Sequence, residues 1–209
     1  MGKIGIYGGS FNPVHWGHKG MVKWVLEHTD LEEVWMLVSP KSPHKIDRGE
    51  AAQSRKTASL KVESHEEEDQ FDLDTNYAER VRAAREEMKD VPHVVVSDFE
   101  DKLPRPSYTA NTLRELQKTY PEHTFSLIIG EDNWKVFDKW REWEEILRNH
   151  RVFVYPRKGK DNPNLSESIG NNQKLSELAG KNLVFLSEAP YFDVSSTEIR
   201  KKLQKDLHE

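Results

Sequence analysis

Six short runs of aliphatic, β-branched and aromatic residues recur along the chain: Lys3 to Tyr7, Glu33 to Val38, His93 to Ser97, Thr124 to Ile129, Arg151 to Tyr155 and Leu183 to Ser187. Apolar runs of this length predict buried strands. Between them the apolar positions change to a helical period, with Met21, Val22, Val25 and Leu26, then Tyr77, Val81, Ala84 and Met88, then Leu113, Leu116 and Tyr120. Strand and helix therefore alternate, which predicts an α/β fold: a Rossmann-like, doubly wound parallel sheet with helices on both faces. Right-handed crossovers in such a sheet place ligands beyond the carboxyl ends of the strands, so chemistry is expected in the loops that follow them.

One stretch breaks the pattern. Residues 46 to 76 are polar, carry the acidic run Glu66, Glu67, Glu68, Asp69 and show little apolar period, as expected of a surface insertion. Lys158 to Asn172, rich in Gly, Asn, Pro and Ser, reads as a second loop. With 209 residues, 35% of them hydrophobic, the chain has material for one domain over 1–209 that carries the 46–76 insertion. The 31 basic residues against 36 acidic ones leave a net charge of -5. That balance argues against a dedicated nucleic-acid partner, which would need a basic face. The absence of cysteine excludes disulfides, thiolate zinc sites and thiol nucleophiles. The start has no apolar signal-peptide core and no segment approaches membrane-spanning length, so no membrane partner and a cytoplasmic location are expected.

The most informative stretch follows the first strand: Gly8, Gly9, Ser10, Phe11, Asn12, Pro13, Val14, His15, Trp16, Gly17, His18, then an amphipathic helix. The glycines allow a sharp turn and close approach of a ligand, and the free N–H groups of the following helix favour an anion. His15 and His18, three apart on a first helical turn, would face the same way and could meet one phosphate. Each can act as a stationary donor toward charge that grows in a transition state, without serving as a base. The rival reading is a glycine turn followed by surface histidines. Zinc fits poorly, since the spacing is not the i, i+4 of a helical pair. Neither a Gly-Lys-Ser/Thr nor a Gly-x-Gly-x-x-Gly fingerprint follows the strand.

A second candidate anion site lies near the far end, in Asp193, Val194, Ser195, Ser196, Thr197, Glu198, Ile199, Arg200, ahead of a helix with Ile199, Leu203 and Leu207 at its apolar positions. Ser195 with Glu198 can form a capping box. That leaves Ser196, Thr197 and first-turn amides for an anion, with Arg200 leaning back toward the helix N-terminus. A plain cap and a solvated arginine form the rival reading.

Together, the Gly-Gly-Ser-Phe-x-Pro-x-His-x-Gly-His stretch and Val-Ser-Ser-Thr-x-Ile-Arg resemble the two signatures of the nucleotidyltransferase superfamily. Within it the chain most resembles bacterial nicotinate-mononucleotide adenylyltransferases, because Ser42-Pro43-His44-Lys45, Ser107-Tyr108-Thr109, Gly130-Glu131-Asp132-Asn133, Trp140 and Arg157 also match in order, over nearly the full length. Two departures stand out. The 46–76 segment is longer and more acidic than the family pattern, and Asn12 occupies a place where aspartate is common.

The resemblance implies adenylyl transfer from ATP to nicotinate mononucleotide, giving nicotinate adenine dinucleotide and pyrophosphate in NAD biosynthesis. It implies that His15, His18 and Arg200 are catalytic, with His18 supporting the α-phosphate transition state. Gly8, Gly9, Ser10, Phe11, Gly130, Asp132, Ser195, Ser196 and Thr197 would join them in binding ATP, the serines and threonine around the departing pyrophosphate. Tyr108 and Thr109 would take the nicotinate carboxylate, Trp140 would stack on the pyridine ring, and Lys45 and Arg157 would lie near its phosphate. Mg²⁺ would arrive with ATP, with no resident metal. On spacing alone, Asp132 and Thr109 could be helix caps, Trp140 with Trp143 core packing, and Lys45 a solvated lysine. The alternatives are a phosphopantetheine adenylyltransferase-like enzyme and a noncatalytic ATP-binding sensor of the same fold. Assembly into a homo-oligomer stays open.

Overall fold

All six apolar runs contribute strands, which pair side by side in parallel. The structure, a computed structural model, describes residues 1–40, 77–156, 180 and 182–206. The 46–76 insertion, the 158–172 loop, Lys45 and Arg157 lie outside the described residues. In chain order the elements are β1 (Lys3–Gly9), α1 (Trp16–His28), β2 (Glu33–Val38), α2 (Tyr77–Met88), β3 (Val94–Ser97), a 3-10 turn (Phe99–Lys102), α3 (Thr109–Thr119), β4 (Thr124–Gly130), a one-turn α4 (Glu131–Trp134), a 3-10 turn (Phe137–Lys139), α5 (Trp143–Asn149), β5 (Val152–Tyr155), β6 (Leu183–Phe185) and α6 (Ser196–Asp206). The strand order is β3-β2-β1-β4-β5-β6, so the topological switch falls between β1 and β4. Those two strands pair in parallel as far as Tyr7 with Ile128.

The strand period of two sorts side chains to the two faces. On β4, Phe125, Leu127 and Ile129 enter one core, while Ile128 enters the other. On β5, Val152 and Val154 join the first group and Phe153 and Tyr155 the second. The face of Ile128 and Phe153 is covered by Met21, Val22 and Val25 of α1 with Val81, Ala84 and Met88 of α2. The opposite face is covered by Leu113 and Leu116 of α3 with Ile146 and Leu147 of α5. The residues that gave the sequence its helical period are thus those that seal the sheet. Among the described residues no helix is long and apolar enough to cross a membrane.

The C-terminal helix departs from expectation. Of its apolar positions Ile199, Leu203 and Leu207, the last lies outside the described residues, α6 buries no residue and Leu203 is 50% exposed. Polar bonds at its N-terminal turn, described below, hold it in place instead.

Phe153 is among the largest fully enclosed side chains, on a central strand of the sheet. Phe153→Ala should cost about 3–5 kcal/mol of folding stability, read as a lowered urea midpoint at constant m-value.

Candidate active site

The loop after β1 is built differently from a glycine turn. Gly8 and Gly9 remain in the strand, and the reversal is made at Phe11, whose φ of 45° lies in the left-handed region. That backbone costs roughly 1–2 kcal/mol for a non-glycine residue. Phe11 is only 3% exposed, and burying its ring returns about 1.5–3 kcal/mol, so packing wins. The ring stands edge-on to Tyr7 at 5.2 Å and to His18 at 5.2 Å. Gly8 and Gly130, at the ends of the two strands flanking the switch point, both have open space where a Cβ would stand. A ligand backbone or phosphate can therefore approach either strand end closely.

His15 is the N-cap of α1, with φ -151° and ψ 168°, and His18 is its third helical residue. The backbone N–H of His15 donates to His18 Nδ1 at 3.1 Å, and the N–H of His18 donates to the His15 carbonyl at 2.9 Å. Their rings lie 3.7 Å apart between centroids, tilted by 32°. Burial, reinforced by the neighbouring His15, pushes the His18 pKa down to about 3, and burial lowers that of His15 as well. His18 is therefore neutral at physiological pH. With Nδ1 occupied as an acceptor, its single proton resides on Nε2, which makes Nε2–H a fixed donor.

The C-terminal signature meets this loop across almost the whole length of the chain. Ser196 Oγ donates to the Pro13 carbonyl at 2.9 Å, and Arg200 Nη1 donates to the Asn12 carbonyl. Arg200 Nη2 also donates to Thr197 Oγ1 at 3.3 Å. Ser195 caps α6 as expected: its Oγ accepts from the Glu198 N–H at 3.2 Å and donates to the Glu198 carboxylate at 3.0 Å. The approach is tight, since a Cβ on Gly17 would fall 2.5 Å from Val194 Cγ1. The sequence predicts that Ser196 and Arg200 face an anion. Here both also fasten the two signatures together, and an anion would share or replace those bonds.

At the end of β4, Gly130 is the N-cap of α4. Asp132 is thus not a cap; it sits exposed in the first turn, beside buried Glu131, which pairs with Lys135 at 3.0 Å. Tyr108, not Thr109, occupies the N-cap position of α3, and it makes no side-chain cap bond. Trp140 ends a 3-10 turn rather than lying on a helix with Trp143, and its ring packs on Phe137 at 5.3 Å. Its neighbour Arg141 sits over the Tyr108 ring at 4.8 Å. Arg114 of α3 binds Glu142 and Glu145 at 2.6 and 2.8 Å. The Tyr108–Thr109 and Trp140 segments are thereby joined, while Lys45 and Arg157 lie outside the described residues.

Three residues escaped the sequence reading. Arg80 of α2 is 8% exposed and donates to the carbonyls of Ser10 at 2.6 Å, Ser39 at 3.0 Å and Pro40 at 3.2 Å. Glu100 is 7% exposed and accepts from Ser39 Oγ at 2.7 Å and Thr112 Oγ1 at 3.0 Å. Burial raises its pKa. Arg80 carried a signal, a cation three residues from Tyr77 within the buried stripe of α2. Glu100, in a 3-10 turn, and Ser39, just past β2, carried none.

A switch point opened by glycines, with a neutral histidine pair on one side and a capped, arginine-bearing helix on the other, defines a Rossmann-like α/β protein built around a nucleotide crevice. Residues 6–202 match the cytidylyltransferase-like family model, and the chain belongs to that family. It is 37% identical over 201 residues to a protein of Bacteroides fragilis (strain YCH46) named probable nicotinate-nucleotide adenylyltransferase, covering 96% of this chain and 82% of that one. A protein of the same name from Cytophaga hutchinsonii is 38% identical over 204 residues, covering 98% of this chain and 87% of the relative. In fold, the chain is similar to Plasmodium falciparum nicotinic acid mononucleotide adenylyltransferase complexed with NaAD, with a TM-score of 0.65 at 16% identity over 96% of this chain and 83% of that one.

The His18 geometry is checked by ¹⁵N NMR of the imidazole. Its Nε2-protonated form should persist without titrating between pH 5 and 8. Because the folded pKa lies below the unfolded value of about 6.5, the associated stability is complete above that value and is lost as pH falls toward 3.

Proposed function

We propose that this chain is a cytoplasmic nicotinate-nucleotide adenylyltransferase: it transfers the adenylyl group of ATP to nicotinate mononucleotide, forming nicotinate adenine dinucleotide and pyrophosphate in NAD biosynthesis. The observation that carries the reading is the meeting of the two signatures, with Arg200 and Ser196 bonded to the carbonyls of Asn12 and Pro13 beside the His15–His18 pair. The near full-length relatives bearing that activity in their names support the choice of substrates.

In this reading a phosphate oxygen of nicotinate mononucleotide attacks the α-phosphorus of ATP in line. One P–O bond forms, the bond to the β-phosphate bridge breaks, and pyrophosphate leaves with the electron pair. The nucleophile is already an anion, so no base is needed, and the protein's task is alignment and charge neutralisation. His18 offers Nε2–H to the α-phosphoryl oxygens. The Nε2–H···O bond strengthens as negative charge accumulates on those oxygens, while Nδ1 stays the acceptor of the His15 N–H. His15, Gly8, Gly9, Ser10 and Phe11 shape the phosphate side of the crevice, and Gly130 with Asp132 borders the nucleoside. Ser195, Ser196, Thr197 and Arg200 receive the departing pyrophosphate at the N-terminus of α6.

Mg²⁺ enters as Mg-ATP and is part of the substrate. Among the described residues no group of three or more His, Asp or Glu is arranged to hold an ion.

The acceptor side favours a carboxylate. The first turn of α3 has no acidic residue and Tyr108 leaves its amides without a side-chain cap, so N–H groups and the helix dipole are available to the nicotinate carboxylate. Trp140 supplies a ring beside that turn, and Lys45 and Arg157 are assigned to the acceptor phosphate.

Purified protein with Mg-ATP should release pyrophosphate with nicotinate mononucleotide, and about 10- to 100-fold less efficiently with nicotinamide mononucleotide, the difference of one charge-assisted hydrogen bond at roughly 1.5–3 kcal/mol. Turnover with phosphopantetheine alone, or ATP binding without turnover on any acceptor, would replace this reading.

Removing the transition-state donor is a separate test. His18→Ala should lower kcat by about 100- to 1,000-fold with a small change in KM. Unaltered turnover would take His18 out of the mechanism.

A further inference from the structure

The phosphate-binding and acceptor-binding halves of the crevice belong to different elements, and in-line transfer requires them to hold a fixed mutual distance. A polar path joins them. It begins at the Ser10 carbonyl in the loop after β1, which accepts from Arg80 Nη1 at 2.6 Å. The same nitrogen donates to the Ser39 carbonyl at 3.0 Å, just past β2, and Nη2 reaches the Pro40 carbonyl at 3.2 Å. Ser39 is a junction: its N–H donates to the Gly9 carbonyl at 2.9 Å, and its hydroxyl donates to Glu100 Oε2 at 2.7 Å. Glu100 Oε1 then accepts from Thr112 Oγ1 at 3.0 Å, inside the first turns of α3. Thr112 N–H in turn donates to the carbonyl of the N-cap Tyr108 at 3.0 Å.

Burying a guanidinium and a carboxyl is expensive, and a fold that needed only packing would place apolar groups at both positions. Arg80 and Glu100 are both more than nine-tenths buried, and neither belongs to the two signatures. The Arg80 guanidinium lies 5.4 Å from the centroid of the Tyr77 ring, whose face holds the fork beside the three carbonyls. A planar fork can bridge carbonyls of two loops at once, and a lysine ammonium on a flexible stem does so poorly.

We infer that Arg80 and Glu100 are positioning residues that meet at Ser39 and set the distance between the ATP phosphate loop and the acceptor-binding N-terminus of α3. The inference rests on the adenylyl-transfer reading above. Neither residue touches substrate. Each acts on alignment, so the path governs turnover more than the affinity of either substrate, because a misplacement of about 1 Å can cost 100-fold in rate.

The test compares wild type with Arg80→Lys, Ser39→Ala and the double variant. It measures kcat by pyrophosphate release, and dissociation constants for nicotinate mononucleotide and for a nonreactive ATP analogue by calorimetry. Arg80→Lys should lower kcat about 10- to 100-fold and Ser39→Ala about 10-fold, with both dissociation constants within about threefold of wild type. Since the two changes cut one path, the double variant should lose little more than Arg80→Lys alone. Glu100→Gln, which keeps an acceptor and the shape, should retain most of the turnover that Glu100→Leu loses. Ser39→Ala deletes a single hydroxyl, so a folding failure of the arginine variants still leaves a decisive measurement. Unchanged kcat in Ser39→Ala and Arg80→Lys beside an active wild type would overturn the positioning role alone. Multiplying losses in the double variant would likewise overturn the shared path. A wild type that transfers nothing to nicotinate mononucleotide would overturn the underlying reading with it.

Discussion

Backbone carbonyls left behind where parallel strands run out must find donors, and the rest of this structure is organised around how they do. Within a strand the neighbouring strand satisfies them; past its carboxyl end nothing in the sheet can. Ser10, Asn12, Pro13, Ser39 and Pro40 present five such carbonyls at the mouth of the crevice, and each accepts from a side chain that arrives from a later helix. Arg80 serves three and Arg200 and Ser196 one each. The same bonds that satisfy the loops gather the reactive groups, so local hydrogen-bond closure and assembly of the site are one event.

The electrostatics of the crevice follow from that packing. Phe11, Tyr7 and the adjacent, tilted His15 ring dry the surroundings of His18, and a backbone N–H fixes which of its nitrogens carries hydrogen. A charged imidazole would bind triphosphate strongly in the ground state as well as in the transition state. A neutral donor gains most where charge is growing, which is the interaction that accelerates a reaction. Arg200, by contrast, carries a guanidinium charge held against the Asn12 carbonyl, on the side that the proposal gives to the leaving group.

Much of this was legible in the sequence. The six strands follow from runs of apolar residues too short for helices, and Val34, Met36, Val38, Phe125, Leu127 and Ile129 occupy the faces that a period of two assigns. The two signatures were legible because their residue types are rare in combination. Other features were not. Phe11 adopts a backbone that local preference gives to glycine, because its ring is captured between Tyr7 at the end of β1 and His18 of α1. Tyr108 takes a cap position without a side-chain cap bond, and Trp140 caps the end of a 3-10 turn, separated from the helix of Trp143 by Glu142 with φ of 57°. Glu100 and Ser39 are common surface residues by type, and only the tertiary meeting of the β2 end, a 3-10 turn and α3 buries Glu100 and half-buries Ser39. The apolar stripe of α6 shows the converse, a helical period without a core to enter.

That last helix has a consequence for how the molecule fails. The sheet and its two cores are complete without α6, whose attachment consists of a few hydrogen bonds near its first turn and whose Leu203 stays half in water. Detachment of this segment is therefore a sub-global opening, far cheaper than melting the sheet. Such an opening would carry Arg200 away from the Asn12 carbonyl while both cores of the sheet stay packed.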